Sequence, residues 1–240
     1  MQLIPSIDVE AARSRLVFWP GSSTGIGTPT DRPERIARHF VDLGAPLVHV
    51  VDLDGARAGT PVNLAVVGRI ASEVATPLQI AGGIDGPEQI SLAFAAGATR
   101  VVMPLLAVAE APDVLRACVD IAGSWMAVGL DPRPERWREY RWRSAVAPTL
   151  TGLVDRLIEE GIERLVLSHG GAEPDLALVE TLASRPGVEI LVAGGVTSRA
   201  GLLALRDAGA AGTILGQPLI SGQLDFAELV TALADPRPRP

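Results

Sequence analysis

"EILVAGGVTSRAGLLALRDAGAAGTILGQPL" occupies residues 189–219. Its first four residues are apolar apart from Glu189 and predict a strand over 189–192. Two glycines, Gly194 and Gly195, follow it. Ser198 then stands where a helix N-cap belongs, ahead of a helical pattern over 198–208. A second apolar run, 212–215, leads into Gly216. Neither run alternates polar with apolar residues, which is the pattern of parallel strands covered on both faces. Strand, glycine turn, helix, strand is a parallel β-α-β unit.

The same order recurs along the chain. Strands are predicted at 2–7, 47–51, 78–80, 100–103, 126–130, 164–167, 189–192 and 212–215. Helical patterns lie near 31–43, 62–74, 87–96, 112–121, 150–160, 174–184, 198–208 and 224–234, several opened by capping or first-turn signals such as "TDRPER", "GPEQ" and "TSRAG". Eight β-then-α units place the chain in the α/β class as a (β/α)8 barrel, with a doubly wound open sheet as the alternative. Three motif pairs recur about 112 to 123 residues apart: "PSID" with "VGLD", "DGA" with "GGA", and "IAGGI" with "VAGGV". This spacing points to an internal half-barrel repeat. One domain is expected over 1–234, with "DPRPRP" at 235–240 as a frayed tail.

Composition narrows the chemistry. The formal net charge is −7, which disfavours nucleic acid as a partner. All 21 basic residues are arginine, so an enzyme lysine cannot form a Schiff base with substrate or pyridoxal phosphate. The single cysteine, Cys118, allows no disulfide within one chain and fits a reducing cytosol. No signal peptide or membrane span is read in the sequence. A cytoplasmic monomer or small homo-oligomer is the expectation.

Barrel active sites form at the C-terminal ends of the strands. Asp8 is expected to end strand one and Asp131 strand five, on opposite sides of the ring. Two facing carboxylates can serve as base and acid on a bound sugar, or each can satisfy backbone N–H groups at a turn. Asp52 and Asp54, at the end of strand two, read more as structural. Gly82–Gly83 and Gly194–Gly195 each follow a strand, where backbone N–H groups can approach an anion; Gly216 and Ser198 join the second pair. Ser198 is equally a helix cap. The stretch 133–145 carries Trp137, Tyr140, Trp142 and Arg143, suited to stacking on a planar group and pairing with phosphate, or to covering the barrel as an apolar ribbon. Ser168 and His169 end strand six. His169 can exchange protons at neutral pH or bond to backbone as a turn residue. His39 and His49 read as structural. Two distant aspartates and one histidine do not have metal-ligand spacing.

The segments "SIDVE", "HVVDLDGARAGTPVNL", "PLQIAGGI", "GATRVV", "VGLD", "ILVAGGVTS" and "GTILGQPL" resemble the phosphoribosyl isomerase family of histidine biosynthesis over nearly the whole chain. The bifunctional actinobacterial members, which also isomerise phosphoribosylanthranilate, and the cyclase subunit of imidazole-glycerol-phosphate synthase share the pattern. The resemblance implies a barrel with two-fold internal repeat and an Amadori rearrangement without a cofactor, in which an N-linked aldose phosphate becomes an aminoketose. It implies Asp8 as the general base and Asp131 as the matching strand-five aspartate. It also implies Trp142 as a stacking residue and Gly194, Gly195 and Gly216 as a phosphate site.

The chain departs from the family in four places. After strand six the family's Thr-Asp-x-x-[Arg/Lys]-Asp-Gly-Thr becomes Ser168-His169-Gly170-Gly171-Ala172-Glu173-Pro174-Asp175, shorter and without the second aspartate. The family's Gly-Gly-Gly-Ile-Arg becomes Ala81-Gly82-Gly83-Ile84-Asp85, and its Gly-Thr/Ser-Ala-Ala becomes Met103-Pro104-Leu105-Leu106. Its Gln-Gly after strand one becomes Phe18-Trp19-Pro20-Gly21. These changes predict a diverged member with one working phosphate site, acting on a small phosphorylated sugar, with Asp8 as base and His169 as acid. Phosphoribosylanthranilate isomerase activity, a lyase or synthase reaction on a ribosyl phosphate, and a non-catalytic barrel partner are the alternatives.

Overall fold

The computed structural model describes residues 1–14, 32–105, 107, 111–133, 149–169 and 173–234. Eight parallel strands follow in ring order: β1 (Gln2–Glu10), β2 (Val48–Asp52), β3 (Leu78–Ala81), β4 (Arg100–Pro104), β5 (Met126–Leu130), β6 (Arg164–Ser168), β7 (Glu189–Ala193) and β8 (Gly212–Leu215). The ring closes where Gln2, Leu3, Ile4 and Pro5 pair with Gly212, Thr213, Ile214 and Leu215. The fold is a (β/α)8 barrel, and the open-sheet alternative falls with that closing pair.

Among the described residues, eight longer helices pack outside the strands: α1 (Pro33–Asp42), α2 (Leu64–Glu73), α3 (Pro87–Ala95), α4 (Pro112–Ala122), α5 (Leu150–Glu159), α6 (Leu176–Ala183), α7 (Arg199–Asp207) and α8 (Phe226–Ala234). Each buries the apolar stripe its sequence spacing dictates. In α1 this is Pro33, Ile36, Ala37 and Phe40, a helical period of three and four. The Phe40 ring meets Phe226 of α8 edge-on at 5.3 Å, so the first and last helices seal the outside of the closing seam. Thr149, Asp175 and Ser198 cap α5, α6 and α7 by accepting from Gly152, Leu178 and Gly201 N–H. The Asp175 cap starts α6 at Leu176, two residues later than the sequence pattern suggests.

β1 is longer than its apolar run. It continues to Glu10 and turns back through Ala11 and Ala12, so that Arg13–Ser14 pairs antiparallel with Val9 and Glu10. Asp8 therefore sits two residues inside the strand rather than at its end. The cause is the β2 loop. Ala11 and Ala12 have positive φ values of 48° and 60°, unfavourable for alanine. Their N–H groups are held by Asp54 Oδ2 at 2.7 Å and Asn63 Oδ1 at 2.9 Å.

That loop is organised by Asp52, which is 1% exposed. Its Oδ1 accepts from Gly55 N and Asn63 Nδ2, and its Oδ2 accepts from Val62 N and Asn63 N, all at 2.7–2.8 Å. The bond from Gly55 caps a short helix, Leu53–Ala58, that the sequence pattern does not predict. The second Asn63 Nδ2 hydrogen goes to Asp54 Oδ2 at 3.0 Å. Asp52 and Asp54 are thus scaffold residues, and they fix the strand that carries Asp8.

Inside the barrel the inward-facing residues are of two kinds. Ile4, Leu47, Val102, Ala127, Val166, Leu191 and Ile214 form an apolar cluster separate from the core beneath the helices. A polar row crosses four adjacent strands through the register pairs Ser6–His49, His49–Gln79 and Gln79–Arg100. Arg100 Nε donates to Gln79 Oε1 at 2.5 Å, and Gln79 Nε2 lies 2.8 Å from His49 Nδ1. Arg164 and Glu189 form a neighbouring ion pair at 2.6 Å. Burial first, and the Arg100 charge second, push the His49 imidazole down to about 3.

Two stability outcomes follow from these contacts. Asp52→Ala strands several buried donors and is expected to destabilise the fold by about 3 kcal/mol or more in urea unfolding. The buried His49 gives a pH signature. Below pH 6.5 the unfolded chain takes up a proton that the folded chain refuses until about 3, so stability falls as pH drops through that window. Wild type should lose about 2 kcal/mol more than His49→Gln between pH 7 and pH 5. Equal losses in the two proteins would show that His49 is not held neutral.

Candidate active site

The C-terminal ends of the strands surround a cavity of about 770 Å³. Asp8 of β1 and Asp131, one residue beyond β5, both line it. The ring order puts those strands diametrically opposite, so one cavity brings the two carboxylates together from facing walls. Ser6, His49, Gly82, Gly83, Ser168, Gly194 and Gly216 line it as well. Asp131 is engaged by Arg133, whose Nε reaches Oδ1 at 2.8 Å and Oδ2 at 3.1 Å, with a further contact from NH2 to Oδ2. A bidentate guanidinium fixes the plane of a carboxylate.

Alternation along β6 separates Ser168 from His169. Val166 and Ser168 face the lumen; Leu165 and Leu167 face the helices. His169, the next residue, follows the outward parity. It is 6% exposed and is not among the side chains that line the cavity. Its backbone N–H donates to Ala193 O at 3.1 Å. Its Nε2 has no hydrogen-bond partner among the described residues. Burial holds the imidazole below its ordinary range, against the opposing pull of Asp175 and then Asp131. His169 therefore stands behind Ser168, electrostatically coupled to an aspartate that does face the cavity.

The two ends of the cavity differ in charge and in donors. At the β7–β8 end, Gly194 and Gly195 adopt φ values of 81° and 77°, a conformation that suits glycine. Gly216 caps the short helix Gln217–Ile220 beside them. Ser198 Oγ accepts from Gly201 N at 3.1 Å, so its hydroxyl oxygen is engaged as the α7 cap; it borders a smaller cavity shared with Gly195 and Glu173. At the β3–β4 end, Gly82 and Gly83 also have positive φ, and here close packing requires glycine. A Cβ on Gly82 would overlap the Asp52 carbonyl, and one on Gly83 would overlap the Thr60 backbone. Asp85, its carboxyl raised by partial burial, and Pro104, which has no N–H, line this end. Trp142 and Arg143 lie outside the described residues.

Sequence reasoning did not place His49 at the cavity, which it lines. As the first residue of the strand-two motif it reads as structural. Its register opposite Ser6, an even-numbered neighbour of Asp8, was the signal that it faces the lumen. Among the described residues, no group of three or more His, Cys, Asp or Glu side chains could hold a metal ion, and no helix is long and apolar enough to cross a membrane.

Comparison with known proteins agrees with this geometry. The histidine biosynthesis protein family matches residues 2–225. A relative from Roseiflexus castenholzii is 32% identical over 237 residues, covering 97% of this chain and 99% of its own. One from Gloeobacter violaceus is 34% identical over 245 residues, covering 99% and 95%. One from Dinoroseobacter shibae is 33% identical over 242 residues, covering 98% and 100%. All three are named 1-(5-phosphoribosyl)-5-((5-phosphoribosylamino)methylideneamino) imidazole-4-carboxamide isomerase. A closed barrel, facing aspartates at strands one and five, and a full-length match establish that the chain belongs to the histidine biosynthesis protein family.

Proposed function

We propose that the chain catalyses an Amadori-type aldose–ketose isomerisation of an N-linked ribosyl phosphate. The observation that carries the reading is the pair Asp8 and Asp131 lining one cavity from opposite strands, in a chain whose relatives are named isomerases. The sugar ring opens when its C1–O bond breaks, the ring oxygen takes a proton and the nitrogen lone pair forms C1=N. Asp8 then removes the proton from C2. The C–H electron pair becomes the C1=C2 bond and the C1=N pair returns to nitrogen. Asp8 returns its proton to C1, and the acid, having protonated the ring oxygen, takes up the C2 hydroxyl proton, which gives the aminoketose. No step calls for a redox or metal partner. The acid side of the reaction is Asp131 in the cavity with His169 coupled to it behind Ser168.

The cavity ends support a substrate narrower than that of the named relatives, whose names carry two phosphoribosyl groups. A phosphate suits the Gly194–Gly195–Gly216 end, where glycine backbone can close on an anion. At the other end Asp85 repels an anion and Pro104 offers no N–H. This end suits a neutral or donor-bearing substituent, which makes the chain a diverged member with one phosphate site. The second reading, phosphoribosylanthranilate isomerisation, also uses one phosphate. Its aryl carboxylate would meet Asp85 if it lay at that end, and a fluorescence assay with that substrate separates the two readings.

Asp8→Asn and Asp131→Asn are each expected to lower kcat by at least ~10²-fold, and His169→Asn by a similar factor through loss of the acid side. A near-normal His169→Asn rate would leave Asp131 alone in that role. At native expression the chain is expected not to rescue growth of a strain lacking the histidine-pathway isomerase, and phosphate esters that co-purify with it should carry one phosphate by mass spectrometry. Robust rescue would overturn the divergence.

A further inference from the structure

The polar row beneath the cavity has a direction. A guanidinium has hydrogens to give and no lone pair to receive them, so Arg100 Nε must face the oxygen of the Gln79 amide. The amide is thereby oriented, and its nitrogen donates to His49 Nδ1 at 2.8 Å. An Nδ1 that accepts cannot carry a hydrogen in the neutral ring. The one ring hydrogen is therefore on Nε2. Gln79 is fully buried and Arg100 nearly so, so water does not compete for these bonds. His49 itself lines the cavity.

Register locates this N–H relative to the base. Ser6 is the β1 partner of His49, and Asp8 is the next lumen-facing residue of β1. Asp8 and His49 are diagonal neighbours on adjacent strands, both in the cavity wall. A sugar carbon whose hydrogen faces Asp8 can turn its hydroxyl oxygen toward His49.

We propose that Arg100 and Gln79 fix His49 as an Nε2–H donor, and that this N–H holds the C2 oxygen of the bound sugar while Asp8 takes the C2 proton. This assignment rests on the isomerase reading. His49 transfers no proton. The C2 proton goes to Asp8, and as the C2 hydroxyl becomes a carbonyl its oxygen keeps accepting from Nε2–H. A neutral, pre-oriented donor serves such an oxygen without reorganisation. Gln79 and Arg100 are positioning residues; His49 touches the substrate.

The test uses the ¹⁵N-labelled full chain and long-range ¹H–¹⁵N correlation of the histidine rings at pH 7. His49 should show a bare Nδ1 and a protonated Nε2, and saturating ribose 5-phosphate should move its Nε2 resonance. In Gln79→Glu a carboxylate replaces the amide donor, so Nδ1 must become protonated and the tautomer pattern should change. There kcat should fall at least ~10-fold while KM stays within ~3-fold. A wild-type Nδ1–H or imidazolium pattern, an Nε2 resonance unmoved by the probe, or a Gln79→Glu protein with unchanged tautomer and kcat would each overturn the proposal. Should Gln79→Glu not fold, the wild-type spectrum still decides. Wild-type protein inactive on ribosyl phosphates would defeat the isomerase reading alone, because the ring spectrum and the probe shift are read without turnover.

Discussion

Four residue pairs between β1 and β8 govern the rest of this structure. Once Gln2–Pro5 lies against Gly212–Leu215, the sheet has no edge, and every strand must send alternate side chains into a lumen of fixed width. Those positions then have to be filled, and an apolar set of Ile, Leu, Val and Ala fills many of them. Where they are polar, the groups must satisfy one another, because water has little access. The row from Ser6 to Arg100 is the form that requirement takes here. Closure also sets Asp8 opposite Asp131, which no local feature of either strand could do.

Below the cavity, burial and neighbouring positive charge act in the same direction. Arg100 sits in the lumen near Arg164, and desolvation first, with that like charge second, lowers its guanidinium to about 10, while Glu189 works the other way. It remains a cation at neutral pH. A cation there keeps the neighbouring imidazole neutral, through an amide that the cation itself orients. The polar interior therefore does more than tolerate burial: each group restricts the protonation state of the next.

The regular elements were legible in the sequence because parallel strands and amphipathic helices write their periods directly. The pattern over 198–208 became Arg199–Asp207, and 126–130 was recovered without change. Features set by side chains from distant parts of the chain were not legible. The extension of β1 to Glu10 depends on Asp54 and Asn63, about fifty residues away. His169 stood out as a lone histidine at a strand end, yet parity counted from Val166 already places it on the outer side. His49 was hidden for the opposite reason, lying in a run so apolar that its lumen-facing position drew no notice. Glycine pairs gave the same sequence signal at both ends of the cavity. Only packing against Asp52 and Thr60 shows that the first pair is required by backbone contact.

That packing bears on how this barrel can change. The loop after β2 and the loop after β3 touch backbone to backbone, with Gly82 seated on the Asp52 carbonyl and Gly83 on Thr60. Neither loop can lengthen or shift without displacing the other and, through Asn63, the turn that follows Asp8. This rim is closed to variation by insertion. What remains free is the identity of side chains that project from the locked frame, such as those at positions 85 and 104. Selection or design for a new substrate has to work at this end by point substitution.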